Sequence, residues 1–320
     1  GPFMRVLFAL IMLTISLFSV IHDAKANEKI TILLDWFVNP DHAPLIIALQ
    51  SGRFEKLGLD VELIAPSDPN LPPKLVAAGK ADVAVSYQPH LHIQVAEGLP
   101  LARFGTLIST PLNSLVVLRK GPIKSISDLK GKKVGYSVGG FEDALLKMML
   151  NTHGLTLGDI QLININFSLS PSLITGKVDA VIGAFRNFEL NQMDIVKKPG
   201  YAFYPEEHGV PPYDELILVA HRDKLKDDRL RRLIDAIELS TLFLINHPKK
   251  AWELFVSYDK KLDDELNRRA WRDTLARFTL RPGALDITRY KRFANFLKKQ
   301  KLIKSTPKIK DFAVELTSVD

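Results

Sequence analysis

Trp36, Asn39 and His42 share one loop, directly after the apolar run Ile30 to Leu34. An indole there is a plate for stacking a flat ring, or plain core filling. Asn39 donates and accepts through one amide, or closes an Asx turn ahead of Pro40. His42 is a solute contact or the partner of a helix N-cap. Tyr87 follows the run Asp82 to Ser86 by one residue and offers a ring face and a hydroxyl as a reader of a ring edge. Gly139-Gly140 precedes a helical stretch from Phe141, so its N–H groups are either a cradle for an oxyanion or part of a turn. His90 and His92 have no carboxylate beside them in their segment, so they read as a satisfied histidine and a surface histidine rather than metal ligands. No Walker motif, zinc signature or nucleophile elbow is present, which favours a binder only mildly.

The elements that must hold these groups alternate. Ile30 to Leu34, Asp60 to Ile64 and Asp82 to Ser86 read as buried strands, and Leu45 to Gln50, Leu71 to Ala78 and Leu91 to Glu97 as helices between and after them. That order implies a parallel sheet with crossover helices. The rhythm returns in the second part, with Leu115 to Leu118, a helix from Phe141 to Thr152, another from Ser170 to Thr175, and the strand Asp179 to Ile182. Ala78-Gly79-Lys80-Ala81-Asp82 and Thr175-Gly176-Lys177-Val178-Asp179 punctuate both units alike, each glycine ending a helix. After the strand Glu215 to Ala220 the chain is mostly helical. The expectation is α/β: two lobes with a hinge and a ligand cleft, over 27–117, 118–213 and a return at 214–320. The crossings fall near Leu115 to Gly121 and near Tyr213 to Val219. Tyr213 and Asp214 at the second crossing serve either ligand or hinge, and Asn113 near the first is a weaker candidate.

In 320 residues, Lys plus Arg number 43 against 36 Asp plus Glu, for a net charge of +7. That excess is too thin to indicate nucleic acid. The chain has no cysteine, which excludes disulfides, Cys-ligated metals, thiol nucleophiles and a lipidated N-terminal cysteine. Gly1-Pro2-Phe3 precede Met4, which reads as the natural start. Arg5, the apolar run Val6 to Ile21 and Ala24-Lys25-Ala26 read as a secretory signal peptide over 1–26, cleaved after Ala26. An uncleaved anchor is the other reading. Losing the leader lowers the net charge by one. A secreted chain without disulfides or lipid fits a Gram-negative periplasm.

Four stretches carry a family resemblance: Leu34-Asp35-Trp36-Phe37-Val38-Asn39-Pro40-Asp41-His42-Ala43-Pro44, Asp82-Val83-Ala84-Val85-Ser86-Tyr87-Gln88-Pro89, Glu97-Gly98-Leu99-Pro100 and Gly209-Val210-Pro211-Pro212-Tyr213-Asp214-Glu215-Leu216-Ile217-Leu218-Val219-Ala220. Together they resemble the periplasmic pyrimidine-binding proteins of thiamine-precursor ABC importers, over nearly all of 30–320. The resemblance implies a type II periplasmic-binding-protein fold that captures N-formyl-aminopyrimidine or hydroxymethylpyrimidine. It implies an ABC permease and its ATPase as partners, membrane contact only through that permease or an uncleaved leader, and no cofactor. It also carries over Phe185, Asn187 and Glu189 as ligand contacts, with Arg186 where relatives tend to have Trp. A Glu at that place accepts from an exocyclic amine and a ring nitrogen, or it sits at a helix start. The same superfamily holds the yeast-type hydroxymethylpyrimidine phosphate synthase, which consumes its own histidine and pyridoxal phosphate. Alignment on Gly79-Lys80-Ala81-Asp82 puts His90 at that histidine and Ser86 at the lysine that would form the Schiff base. Arg186 and the net positive charge keep a third reading open, a binder of another small anionic or aromatic solute.

Overall fold

The computed structural model describes residues 25–316. The expected leader lies, but for its last two residues, outside the described residues. No described helix is long and apolar enough to cross a membrane.

Among the described residues, ten strands form two five-stranded sheets. β1 (Glu28–Leu33), β2 (Leu59–Ile64) and β3 (Val83–Ser86) are the expected parallel strands, and β4 (Leu101–Ile108) completes the first run. The second sheet holds β5 (Asn113–Leu118), β6 (Lys133–Tyr136), β7 (Gln161–Asn164), β8 (Ala180–Phe185) and β9 (Gly200–Phe203). β10 (Leu216–His221) then returns to the first sheet. The orders are β2-β1-β3-β10-β4 and β7-β6-β8-β5-β9. The two sheets are built alike. In each, the strand that arrives from the other lobe runs antiparallel to its neighbours, β5 between β8 and β9, and β10 between β3 and β4. Two parallel-rich sheets joined by two crossings give the expected two-lobed α/β architecture.

The first crossing differs from the expectation. Leu115 to Leu118 pairs with β8 and β9, so β5 opens the second lobe, and the chain passes over at 109–112. The apolar run is a strand interior and not a linker. The second crossing covers 204–215, ending where β10 begins. The long helix Asp228–Asn246 packs on the helix Ala43–Gln50 and against β2, and the helix Ile309–Phe312 on β4, so the tail returns to the first lobe.

β4 is absent from the sequence reading, and Arg103 explains why. This arginine is fully buried in the middle of the strand. Its guanidinium donates to the carbonyls of Pro282 (3.2 Å), Ala284 (2.5 Å) and Val314 (2.8 Å), and to Thr106 Oγ1 (3.0 Å). A buried cation costs several kcal/mol unless its hydrogens are all placed, and here backbone acceptors from the tail place them. The expected outcome for Arg103→Met is a loss of about 3 kcal/mol, because the partly buried carbonyls of Ala284 and Val314 lose their donor and the Pro282 carbonyl keeps only the Thr106 N–H. Urea unfolding checks it, and a midpoint equal to that of the parent protein removes the clamp.

Candidate functional site

The loops after the parallel strands of both sheets meet at one cavity, where open α/β sheets place ligands. The first lobe contributes Asp35, Trp36, Asn39, Asp41 and Tyr87, from the loops after β1 and β3. The second contributes Glu142, Gly183, Phe185, Phe188 and Glu189, from the helix after β6 and the end of β8. The empty space, its mouth included, is about 360 Å³, and about 20 Å³ is open to the centre of a water molecule. That is little more than the space of one water, so a ring fits between these walls only with the lobes further apart than they stand here.

Its chemistry is acidic and aromatic. Four carboxyl groups line it, Asp35, Asp41, Glu142 and Glu189, and no basic side chain does. All four are buried. Asp35 is held from both sides: His42 Nε2 lies 2.7 Å from Oδ1, and the Tyr87 hydroxyl donates to Oδ2 at 2.9 Å. The Asn39 backbone N–H donates to His42 Nδ1 at 3.3 Å, which leaves the ring hydrogen on Nε2 for Asp35. Glu142 Oε1 accepts the N–H groups of Ser137 (2.7 Å) and Val138 (2.9 Å). Even so, burial pushes its carboxyl up to about 8. Glu189 Oε2 accepts from the Phe185 N–H at 3.0 Å, and burial again raises it to about 8. Burial lifts Asp41 to about 7 against the pull of His42 and Asn187. Gly183 makes this packing possible. A Cβ there would stand 2.6 Å from both Glu142 oxygens, and its φ of +110° suits only glycine.

Five of the twelve expected contacts share this cavity: Trp36, Asn39, Tyr87, Phe185 and Glu189. Trp36 lines the cavity. Its Nε1 is buried without a partner, and its ring meets Phe167 of the other lobe edge-on at 4.7 Å. Asn39 is committed to its own loop, Oδ1 accepting the Asp41 N–H at 2.9 Å and Nδ2 donating to the Phe37 carbonyl at 2.9 Å. The Asx-turn reading describes it, and its side chain has little left to read a solute. Tyr87 does not present an edge reader: its hydroxyl is taken by Asp35, and Phe141 covers its face at 4.9 Å and 16°.

The other seven stand off the cavity wall. His42 is fully buried behind Asp35 and positions it. Gly139 and Gly140 form no open cradle, since their N–H groups donate to Asn70 Oδ1 and Asp143 Oδ1, each at 2.7 Å. Asn187 donates to Asp41 Oδ1 at 2.6 Å. Asn113, Tyr213 and Asp214 belong to the hinge. Glu215 Oε1 accepts the N–H groups of Leu112 (2.8 Å) and Asn113 (2.5 Å) and the Tyr213 hydroxyl (3.1 Å), tying the two crossings together. Asn113 Oδ1 accepts the Gly183 N–H at 2.9 Å, and Asp214 pairs with Arg289 at 2.7 Å. Arg186 is half-buried and does not line the cavity. It binds Glu206 with two bonds (2.7 and 2.9 Å), lies 3.9 Å over the Tyr204 ring and donates to the Asn113 carbonyl at 3.0 Å. That removes one support of the anionic-solute reading, since the cation expected to greet an anion is spent on the hinge. His92 is buried among Tyr290, Phe293 and Phe312, not on the surface, and His90 keeps a buried Nδ1 without a partner. The lining residues that sequence reasoning missed are Asp35, Asp41, Glu142, Gly183 and Phe188. Position offered a signal for the first two, since both flank residues already singled out.

The raised carboxyls set a pH dependence with a definite sign. Folded values of about 8 for Glu142 and Glu189 lie above their ordinary value of 4.5, so between these limits the folded state holds more protons than the unfolded one. Stability of the ligand-free protein is full below about pH 4.5 for these groups and is lost as pH rises through about 8. Thermal unfolding between pH 5 and pH 9 (roughly the window of those values) is expected to show a falling Tm. Glu189→Gln flattens that fall; an unchanged slope in the variant contradicts it.

A model of the NMT1/THI5-like family matches residues 39–251. A Haemophilus influenzae protein named for thiamine biosynthesis is 57% identical over 292 residues, covering 91% of this chain and 93% of its own. A formylaminopyrimidine-binding protein of Halalkalibacterium halodurans is 33% identical over 202 residues, 62% of this chain and 60% of that one. A 4-amino-5-hydroxymethyl-2-methylpyrimidine phosphate synthase of Schizosaccharomyces pombe is 25% identical, covering 79% of this chain and 76% of that one. Among solved structures, an alkanesulfonate-binding protein of Xanthomonas axonopodis superposes with a TM-score of 0.68 at 16% identity, over 92% of this chain and 98% of that one. That likeness is one of fold, and the fold is that of periplasmic binding proteins. Matched over most of its length by the family model and nearly end to end by a close relative, this chain belongs to the NMT1/THI5-like family.

Proposed function

We propose that this protein is the solute-binding component of an ABC importer and captures a thiamine-precursor pyrimidine, N-formyl-aminopyrimidine or hydroxymethylpyrimidine, without altering it. The observation that carries this reading is the lining of the cavity: four carboxyl groups, aromatic rings and no cation. An aminopyrimidine presents an exocyclic amine beside a ring nitrogen, which is a donor-rich edge on a flat apolar face. A carboxylate takes such an edge with charge-assisted hydrogen bonds, and Trp36 supplies a wall for the face. A sulfonate or nitrate would meet four carboxyl groups and no lining cation to pair with. The relative that binds formylaminopyrimidine supports the same ligand class. By the same reading the protein works in the periplasm, docks on a permease, and needs no cofactor.

The synthase reading has less to stand on. Position 86 carries a buried Ser and no amine to condense with pyridoxal phosphate. The chain also lacks every cysteine. His90 is expected to keep its full mass after incubation with iron and pyridoxal phosphate.

Calorimetry with formylaminopyrimidine, hydroxymethylpyrimidine, thiamine and an alkanesulfonate tests the proposal. One pyrimidine is expected to bind tightly and the sulfonate not at all. Glu189→Gln is expected to weaken binding roughly tenfold to a hundredfold, the worth of a hydrogen bond to a charged group. Trp36→Ala is expected to weaken it by at least about tenfold through lost ring contact. Binding of the sulfonate in place of every pyrimidine overturns the proposal.

A further inference from the structure

The two lobes touch through more than the cavity wall. Asn187, at the end of β8 in the second lobe, donates from Nδ2 to two first-lobe oxygens, Asp41 Oδ1 at 2.6 Å and Thr274 Oγ1 at 2.8 Å. The Thr274 hydroxyl hydrogen goes to the Ala270 carbonyl at 2.5 Å, so its oxygen is free only to accept, and the orientation of the amide is settled. Asn187 is buried, and its Oδ1 has no partner. One turn on, Asn191 Nδ2 reaches across to Asp273 Oδ2 at 2.8 Å. Different elements make a second bridge. Asn70 of the first lobe accepts the Gly139 N–H at 2.7 Å and donates to the Ser137 carbonyl at 3.1 Å. Asp68 Oδ1 holds Asn70 in place, accepting from its backbone N–H and from Nδ2, each at 2.9 Å.

We infer that Asn187 is a closure latch: a positioning residue that holds the lobes shut by donating both amide hydrogens across the cleft to Asp41 and Thr274, with Asn70 as a second, independent latch. None of Asn187, Thr274 and Asn70 lines the cavity, so they act on closure and not on the guest. Asp41 does both, since it is cavity wall and latch acceptor at once. The charged and titratable groups facing it are His42, Asp35, Arg277 and Glu189. A donor-rich guest in the cavity favours the ionised carboxylate of Asp41, and an ionised acceptor binds the Asn187 amide more strongly. Filling the cavity therefore tightens the latch. Guest-driven closure requires such a difference between the two states. The guest chemistry rests on the proposed function, whereas the latch itself does not.

The test reads lobe separation without any ligand. No native cysteine is present, so Lys56→Cys and Lys177→Cys, one exposed site on each lobe, take a dye pair cleanly. Single-molecule energy transfer is expected to show a closed fraction in the parent protein. Asn187→Ala and Thr274→Val each shift it toward open, and the double variant opens no further than either alone, as two ends of one bond should. Asn70→Ala opens it too, and its effect adds to that of Asn187→Ala. With a bound pyrimidine, Asn187→Ala and Thr274→Val are each expected to raise the dissociation rate roughly tenfold with little change in association. Thermal unfolding confirms that each variant folds, and Asn70→Ala carries the test should Asn187→Ala not. No closed fraction in the parent overturns the inference. So does Asn187→Ala altering retention while Thr274→Val matches the parent, since Asn187 is then a contact for the guest.

Discussion

Four carboxyl groups withdrawn from water set the terms for everything around them. A carboxylate in an apolar site costs several kcal/mol unless hydrogen bonds or opposite charge surround it. Here each carboxyl has found a different support. Asp35 has His42 and Tyr87, Glu142 has two backbone N–H groups, Glu189 has one, and Asp41 has the Asn187 amide. The supports are incomplete, and burial still raises three of the four carboxyls to about 7 or 8. A cleft lined in this way suits a donor-rich solute. The net charge of +7 gives no hint of this, because the surface carries the basic excess while the cavity is acidic.

A second constraint is mechanical. Among the described residues the chain passes between the sheets at 109–112 and 204–215, and Glu215 ties both crossings to one oxygen. Arg186 reinforces the joint from the second lobe through Glu206 and the carbonyls of Leu112 and Asn113. Several residues that looked like ligand contacts are therefore parts of this joint. Polar side chains near a crossing serve hinge and ligand with the same chemistry, and only the fold tells which.

The regular parts of the fold were legible because apolar runs and glycine punctuation coincide with elements. β1, β2, β3 and the helix Glu142–Asn151 lie within a few residues of the expected places. β4, β7 and β9 were not legible, each for its own reason. Arg103 and Gly105 interrupt β4, Gln161 and Asn164 bracket the half-exposed edge strand β7, and β9 is only Gly200 to Phe203. For the site, large aromatic residues after buried strands stood out, and Trp36 and Phe185 do line the cavity. The acids did not stand out. Asp35 and Asp41 resemble ordinary loop residues, and Glu142 resembles a first-turn helix acid favoured by the dipole. Their burial is a tertiary fact, created by the approach of the other lobe.

The clamp on Arg103 has a consequence for the order in which the chain assembles. The second lobe, 113–203, is continuous, and every strand of its sheet lies within it. The first lobe is not continuous: Arg103 is translated early, whereas its carbonyl acceptors come from Pro282, Ala284 and Val314, the last of these among the final residues described. Until residues 282–314 are in place, the only partner that guanidinium has is the nearby Thr106 hydroxyl. Burial of β4 therefore depends on a segment far along the chain, whereas the sheet of the second lobe needs nothing outside 113–203.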